Sequence, residues 1–347
     1  MHGRILVGAL MALLMAFGAR AADVCPVARQ QQFSTDQAAR VAAIACNEHM
    51  LWFRAFIDSN GRVASSTVVE AETSRLGDGA TEAWRRVAGY WRESGLLGQM
   101  SGFPGAGECG HANSGQYPSP SCRAFIIDNP WSAAFVSYVM KRADLPGFRA
   151  SASHSDYVRA AYVHPEESPF LYLDPAVAKP AAGDMLCYVR VPSRAYGYEG
   201  LRQFFDAGTG GGLNMHCDIV VAANPGNDGK AYLIGGNVQQ GVTMRLLRVN
   251  RNGNFWSLPQ RSGGEAPCTP DTETLCNFNR QDWAVLLKLK SQSALALLPR
   301  SSPVPSLPSA MPMPTQQQSC CTTCILGSGV PRCPSPQNPQ NPQIRPE

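Results

Sequence analysis

Four runs of β-branched and large apolar residues, Asp184–Val191, Asp218–Ala222, Ala231–Ile234 and Val242–Val249, constrain the fold of this chain more than any other feature. Each is bounded by Gly, Pro or Asn and reads as a strand. They follow one another with only turns and loops between them, so the expected sheet is antiparallel rather than doubly wound and parallel. Upstream of them lies Ser132–Met140 (SAAFVSYVM), small and apolar on most helical faces, entered through Asn129-Pro130-Trp131. Proline suits the first turn of such a helix. A buried helix followed by antiparallel strands defines an α+β chain.

Upstream, Ser34-Thr35-Asp36-Gln37 has the spacing of a capping box. From there to about Ile57, Val41, Ile44, Ala45, Leu51, Trp52, Ala55 and Phe56 recur at helical spacing, interrupted by Glu48. A second helix is expected from about Ala80 to Glu93, with Trp84, Val87, Ala88 and Trp91 on one face. Residues 100–122 read as loop, and a short helix is expected around Ser155–Tyr162. A last helix is expected near Asn279, carrying Trp283, Leu286, Leu287 and Leu289. Beyond about Pro299 the chain is rich in Pro, Ser, Gln and Asn, a composition unable to bury a core.

Composition narrows the function classes. Hydrophobic residues make up 44% of the 347 and charged residues 16%, enough apolar surface for a substantial core. The formal charge of +4 falls to about +2 without Arg4 and Arg20, and no basic run is present, which speaks against nucleic acid as a partner. Ile5–Phe17 form an apolar run ahead of Ala19-Arg20-Ala21, the pattern of a cleavable signal peptide, and the run is shorter than the ~20 residues that span a bilayer. The expected locations are therefore the periplasm or the medium, with no transmembrane segment in the mature chain. Twelve cysteines suit an oxidising compartment. Cys109/Cys122 and Cys268/Cys276 bracket short loops, and Cys25/Cys46 would pin the mature N-terminus. Cys187 and Cys217 fall on neighbouring strands as either a disulfide or two buried thiols. Cys320, Cys321, Cys324 and Cys333 lie in the tail.

Four short pieces could carry chemistry: Trp131-Ser132-Ala-Ala-Phe-Val, Ala182-Gly183-Asp184-Met-Leu-Cys187, Met215-His216-Cys217-Asp218-Ile-Val-Val and Ile234-Gly235-Gly236-Asn237-Val238. Ser132 opens a helix, where free N–H groups and the helix dipole favour an anionic nucleophile. His216 opens a strand and could act as its base, with Asn237 at the end of the next strand as orienter. Asp218, two residues from His216 and so on the same strand face, is the rival orienter. Asp184 reads as a structural acceptor for loop amides. His154, Asp156 and Tyr157 could line a substrate cleft with Trp131 and Asp218, or simply cap a surface helix. Taken singly, Ser132 could be only a helix cap and His216 a structural histidine. His154, His216 and Asp218 are metal-ligand types, yet no HExxH or comparable paired spacing is present, so no metal or other cofactor is expected.

The order of these pieces, over about residues 40–250, resembles the papain-like cell-wall hydrolases of the CHAP and NlpC type, and more closely an uncharacterised bacterial family related to them. The resemblance implies a papain-like antiparallel sheet packed on a nucleophile-bearing helix, with an N-terminal helical section. It implies a hydrolase of amide bonds in peptidoglycan peptides and prefers Asn237 as orienter. The chain departs from that pattern by carrying Ser132 at the cysteine position. The expected organisation is a signal peptide over 1–21, a helical section over 22–100, a hydrolase-type core over 101–298 and a tail over 299–347. The alternative function is an envelope-binding or scaffold protein that keeps the cleft without turnover. Disulfide connectivity and oligomeric state cannot be read from the chain.

Overall fold

The computed structural model describes residues 23–113, 118–208, 212–261 and 268–299, with a short ladder between Thr323–Cys324 and Pro331–Arg332. The expected signal peptide and nearly all of the expected tail lie outside these residues. The described helices are α1 (Cys25–Ala28), α2 (Gln37–Leu51), α3 (Ala83–Glu93), α4 (Ala106–Gly110), α5 (Pro120–Asp128), α6 (Ser132–Arg142), α7 (His154–Val163), α8 (Gly197–Asp206) and α9 (Gln292–Leu295). One sheet contains β1 (Phe56–Ile57), β2 (Phe170–Leu173), β3 (Met185–Val189), β4 (Met215–Ala223), β5 (Lys230–Val238), β6 (Gly241–Arg248) and β7 (Asp282–Leu289). Its strand order is β1-β6-β5-β4-β3-β7-β2. Every pairing is antiparallel except that of β1 with β6. The α+β class and the mainly antiparallel sheet expected from the sequence are therefore present.

Strand alternation splits the sheet's side chains between two cores. Met185, Cys187, Met215, Cys217, Ile219, Tyr232 and Ile234 join the larger core with α2, α3 and α6. Leu186, Tyr188, Val220, Leu233, Trp283 and Leu286 form a smaller core on the opposite face. Helix α6 lies close on β5: a Cβ added at Gly236 would come within 2.5 Å of the Phe135 side chain. Between α2, α3 and α6, the buried Glu48 that interrupts the apolar stripe accepts from Arg86 Nε (2.8 Å), Tyr90 (2.7 Å) and Tyr138 (3.0 Å). Those donors compensate a carboxylate that would otherwise be costly to bury.

Several elements differ from expectation for identifiable reasons. The cap of α2 is Asp36, whose Oδ1 accepts from the Ala38 (2.8 Å) and Ala39 (3.4 Å) amides, rather than Ser34. The helix stops at Leu51 because Phe53 and Arg54 adopt left-handed φ values of 59° and 62°, which frees Phe56–Ile57 to pair with β6. The stretch read as loop contains α4 and the start of α5, held together by the Cys109–Cys122 disulfide. Ser119 caps α5 through the Cys122 amide (3.3 Å), with Pro120 in its first turn. The expected last helix is strand β7, inserted between β3 and β2. Its apolar residues are buried on both faces, Trp283 and Leu286 in the smaller core and Val285 and Leu287 in the larger. Short continuous apolar runs fit either period.

Cys25–Cys46, Cys109–Cys122, Cys187–Cys217 and Cys268–Cys276 form disulfides, as suits a chain that matures in an oxidising compartment. The cysteines at 320, 321, 324 and 333 lie outside the described side chains. No helix among the described residues is long and apolar enough to cross a membrane.

Candidate active site

Ser132 is the first residue of α6, and Trp131, its N-cap, makes no side-chain cap. The hydroxyl of Ser132 does not cap the helix either. It points to His154, with Oγ 2.7 Å from Nε2. His154 opens α7, and its Nδ1 faces the hydroxyl of Tyr157, one helical turn on. All three residues are buried, Ser132 at 5% exposure. Burial holds the His154 imidazole well below the ordinary histidine range, reinforced by neighbouring His216 and Arg190 and opposed by Asp218. Burial also raises the Tyr157 phenol, so both groups are neutral near pH 7.

His216 is the second residue of β4 and stands 5.2 Å from His154, ring centre to ring centre. Both of its nitrogens are engaged: Nε2 lies 2.8 Å from Asp218 Oδ1, and Nδ1 lies 3.3 Å from Arg190 Nη2. The other oxygen of Asp218 accepts from Arg245 Nε at 2.9 Å. Burial alone would raise Asp218, but His216 and Arg245 override it and keep the carboxyl far below the usual carboxylate range. An ionised Asp218 must accept from Nε2–H, which leaves the Nδ1 lone pair of a neutral His216 for the Arg190 guanidinium. Burial is also the main cause that lowers His216. Gly235 makes room for this pair, since a Cβ there would sit 2.0 Å from Asp218 Oδ1 and 3.0 Å from His216 Nε2.

The structure thus gathers Ser132, His154, Tyr157, His216 and Asp218, but pairs them differently from the expectation. Ser132 meets His154 rather than His216, whose Nε2 is taken by Asp218, two residues on and on the same strand face. Asp218, the rival that alternation nominated, orients His216. Asn237, preferred by the resemblance, sits elsewhere. With its amide oriented by the hydrogen-bond network, it donates to Glu70 Oε2 (2.9 Å) and accepts from the Trp131 amide (3.3 Å). Its left-handed φ of 55°, which asparagine tolerates, takes it out of the strand alternation. Trp131 is buried and donates from Nε1 to the same Glu70 oxygen at 2.8 Å. Burial pushes the Glu70 carboxyl up to about 7, against the pull of that indole bond. Asp184 accepts from the Ala181 amide (2.7 Å) and pairs with Lys288 (2.8 Å), the structural role expected of it.

Three functional candidates were not singled out from sequence: Glu70, Arg190 and Arg245. Arg245 carried a readable signal, a charge in the middle of the run Val242–Val249; Glu70 carried none, and Arg190 only its place two residues from Tyr188. On its far side Tyr157 lines a cleft of about 330 Å³ floored by Phe148 and Phe170, with Arg149 and Glu167 at its edge. Among the described residues, no group of three or more His, Cys, Asp or Glu could hold a metal ion. His154 Nε2 and His216 Nε2 are turned to Ser132 and Asp218 instead.

The fold and site define an α+β protein with a hydroxyl–imidazole pair at a helix start and an imidazole–carboxylate pair beside it. Residues 78–289 match the family described as an uncharacterized protein conserved in bacteria (DUF2272), and the chain belongs to that family. No curated protein and no solved structure matches it.

Proposed function

We propose that the protein is an exported acyl-transfer hydrolase of amide bonds with Ser132 as nucleophile and His154 as its proton acceptor. The 2.7 Å Oγ–Nε2 contact at the start of a buried helix carries this reading. With Nδ1–H donating to Tyr157, Nε2 presents its lone pair to the Ser132 hydroxyl. Oγ transfers its proton to Nε2 as it attacks the carbonyl carbon. Phe135 is the first residue of α6 whose amide bonds back along the helix, to Trp131 O at 2.9 Å. By helix geometry the amides of Ser132, Ala133 and Ala134 have no such acceptor and can receive the developing oxyanion. The protonated His154 then gives its proton to the departing amine, and water completes hydrolysis of the acyl ester. His216 and Asp218 form a second, already oriented pair beside this one.

Peptidoglycan peptides are the proposed substrates. The resemblance to papain-like cell-wall hydrolases supports this, and the four disulfides fit an envelope or extracellular setting. In this reading residues 1–21 are the signal peptide and the core is papain-like. A second reading, an envelope-binding protein without turnover, is favoured by one observation: Ser132 is only 5% exposed.

Incubating purified protein with peptidoglycan, followed by mass analysis of the released fragments, separates the two. The hydrolase releases fragments with new amine and carboxyl ends, and both Ser132→Ala and His154→Ala abolish release, since members of such a unit act together. Equal behaviour of wild type and Ser132→Ala, or co-sedimentation without cleavage, refutes the hydrolase and leaves the binder.

A further inference from the structure

Arg190 differs from the other charges of the site. Asp218 and Arg245 neutralise each other in a buried pair. His154 and His216 are held neutral by burial. Arg190 follows β3, is exposed, and directs Nη2 at His216 Nδ1 (3.3 Å) while its guanidinium lies 5.9 Å from the Tyr188 ring centre. Among the described residues it has no carboxylate partner within ion-pair distance. The charges around the two imidazoles therefore sum to one positive, carried by an arginine at the solvent edge with donors to spare. Guanidinium matches carboxylate geometry in a two-point contact that a lone imidazole acceptor does not use.

We infer that Arg190 is the specificity residue of this site and receives a carboxylate of the substrate, so the amide attacked belongs to a peptide with a free carboxylate near the scissile bond. The inference rests on the Ser132–His154 reading for the cleavage, but the carboxylate preference is a binding property and can be measured without turnover. A carboxylate approaching Arg190 competes for the donor that now faces His216 Nδ1, so occupancy also registers at that nitrogen.

The test uses the full chain carrying Ser132→Ala, titrated calorimetrically with N-acetyl-dialanine bearing a free C-terminal carboxylate and with its C-terminal amide. A charge-assisted bond is worth about 1.5–3 kcal/mol, so the carboxylate form should bind about tenfold tighter or more. Arg190→Gln should erase the preference, Arg190→Lys should keep part of it, and the ¹⁵N resonance of His216 Nδ1 should move with the carboxylate form alone. Equal binding of the two peptides, no binding of either, or a preference that survives Arg190→Gln overturns the inference. A carboxylate preference confirmed here alongside intact peptidoglycan in the cleavage assay would instead sink the hydrolase reading while leaving Arg190 its role.

Discussion

Glu70 offers a perturbation whose size follows from its surroundings. It is 6% exposed and accepts both the Trp131 indole N–H and the Asn237 amide on one oxygen, with no cation among its partners. Its carboxyl is raised to about 7 from 4.5, burial being the leading cause. The folded protein therefore holds that proton more tightly than the unfolded chain does. The contribution is fully favourable below pH ~4.5 and is lost as pH rises through 7. A difference of about 2.5 pH units corresponds to about 3 kcal/mol between the two limits. Glu70→Gln keeps an acceptor oxygen for Trp131 and Asn237 and cannot ionise. Thermal unfolding of both proteins from pH 4 to pH 9 isolates the effect. The Tm curves should coincide near pH 4 and separate through pH 5–7, with the variant higher above. At roughly 2–4 °C per kcal/mol the final gap is about 6–12 °C. Curves that stay parallel, or a variant less stable at every pH, would show that Glu70 is an ionised anchor for α6 and that the burial argument is wrong.

Gly235→Ala should lower stability by about 1–3 kcal/mol, because the added methyl meets Asp218 Oδ1 at 2.0 Å and Val238 Cγ2 at 2.8 Å, and Asp218 is pinned by both His216 and Arg245. Urea unfolding reads the loss, and a variant as stable as wild type would mean the Asp218 side chain yields freely. Replacing Cys187 and Cys217 together by alanine releases a disulfide closing a separation of 30 residues between β3 and β4, worth about 3–4 kcal/mol by loop entropy. The urea midpoint should fall accordingly, and an unchanged midpoint would show that strand pairing alone holds the two sulfur positions together.

Much of the fold was legible because local rules and tertiary packing agreed. Trp84, Val87, Ala88 and Trp91 repeat at helical spacing and are buried in α3, and the apolar runs after residue 184 became β3 to β6. Where the two disagreed, packing prevailed. Trp283, Leu286, Leu287 and Leu289 fit a helical stripe, yet the gap between β3 and β2 required a strand buried on both faces. The last turn expected of the first long helix was lost to left-handed backbone at Phe53 and Arg54, two residues with no turn signature. Strand β2 and helix α8 went unread for a related reason: β2 is only four residues long, and α8 opens on Gly197 and carries Gly200 in its first turns, both poor helix formers.

For the site, the membership was legible and the pairing was not, and two adjacent glycines explain why. A Cβ on Gly236 would strike Phe135 of α6, while one on Gly235 would strike Asp218 and His216. Neighbouring residues of one strand point to opposite faces. Phe135 of α6 and the His216–Asp218 pair therefore pack against opposite sides of β5, while the His154 ring still comes within 5.2 Å of His216, centre to centre. A histidine that shares its face with Asp218 is oriented by that carboxylate as a direct consequence of the i, i+2 spacing, which the sequence displays. The partner of Ser132 must then come from another element that reaches the start of α6, and the start of α7 supplies it in His154. That contact bridges 22 residues through a loop whose path no local pattern encodes. Arg190 shows the same division: its alternation with Tyr188 was available in the sequence, but its approach to His216 depends on the β3–β4 register, which pairs Tyr188 with His216.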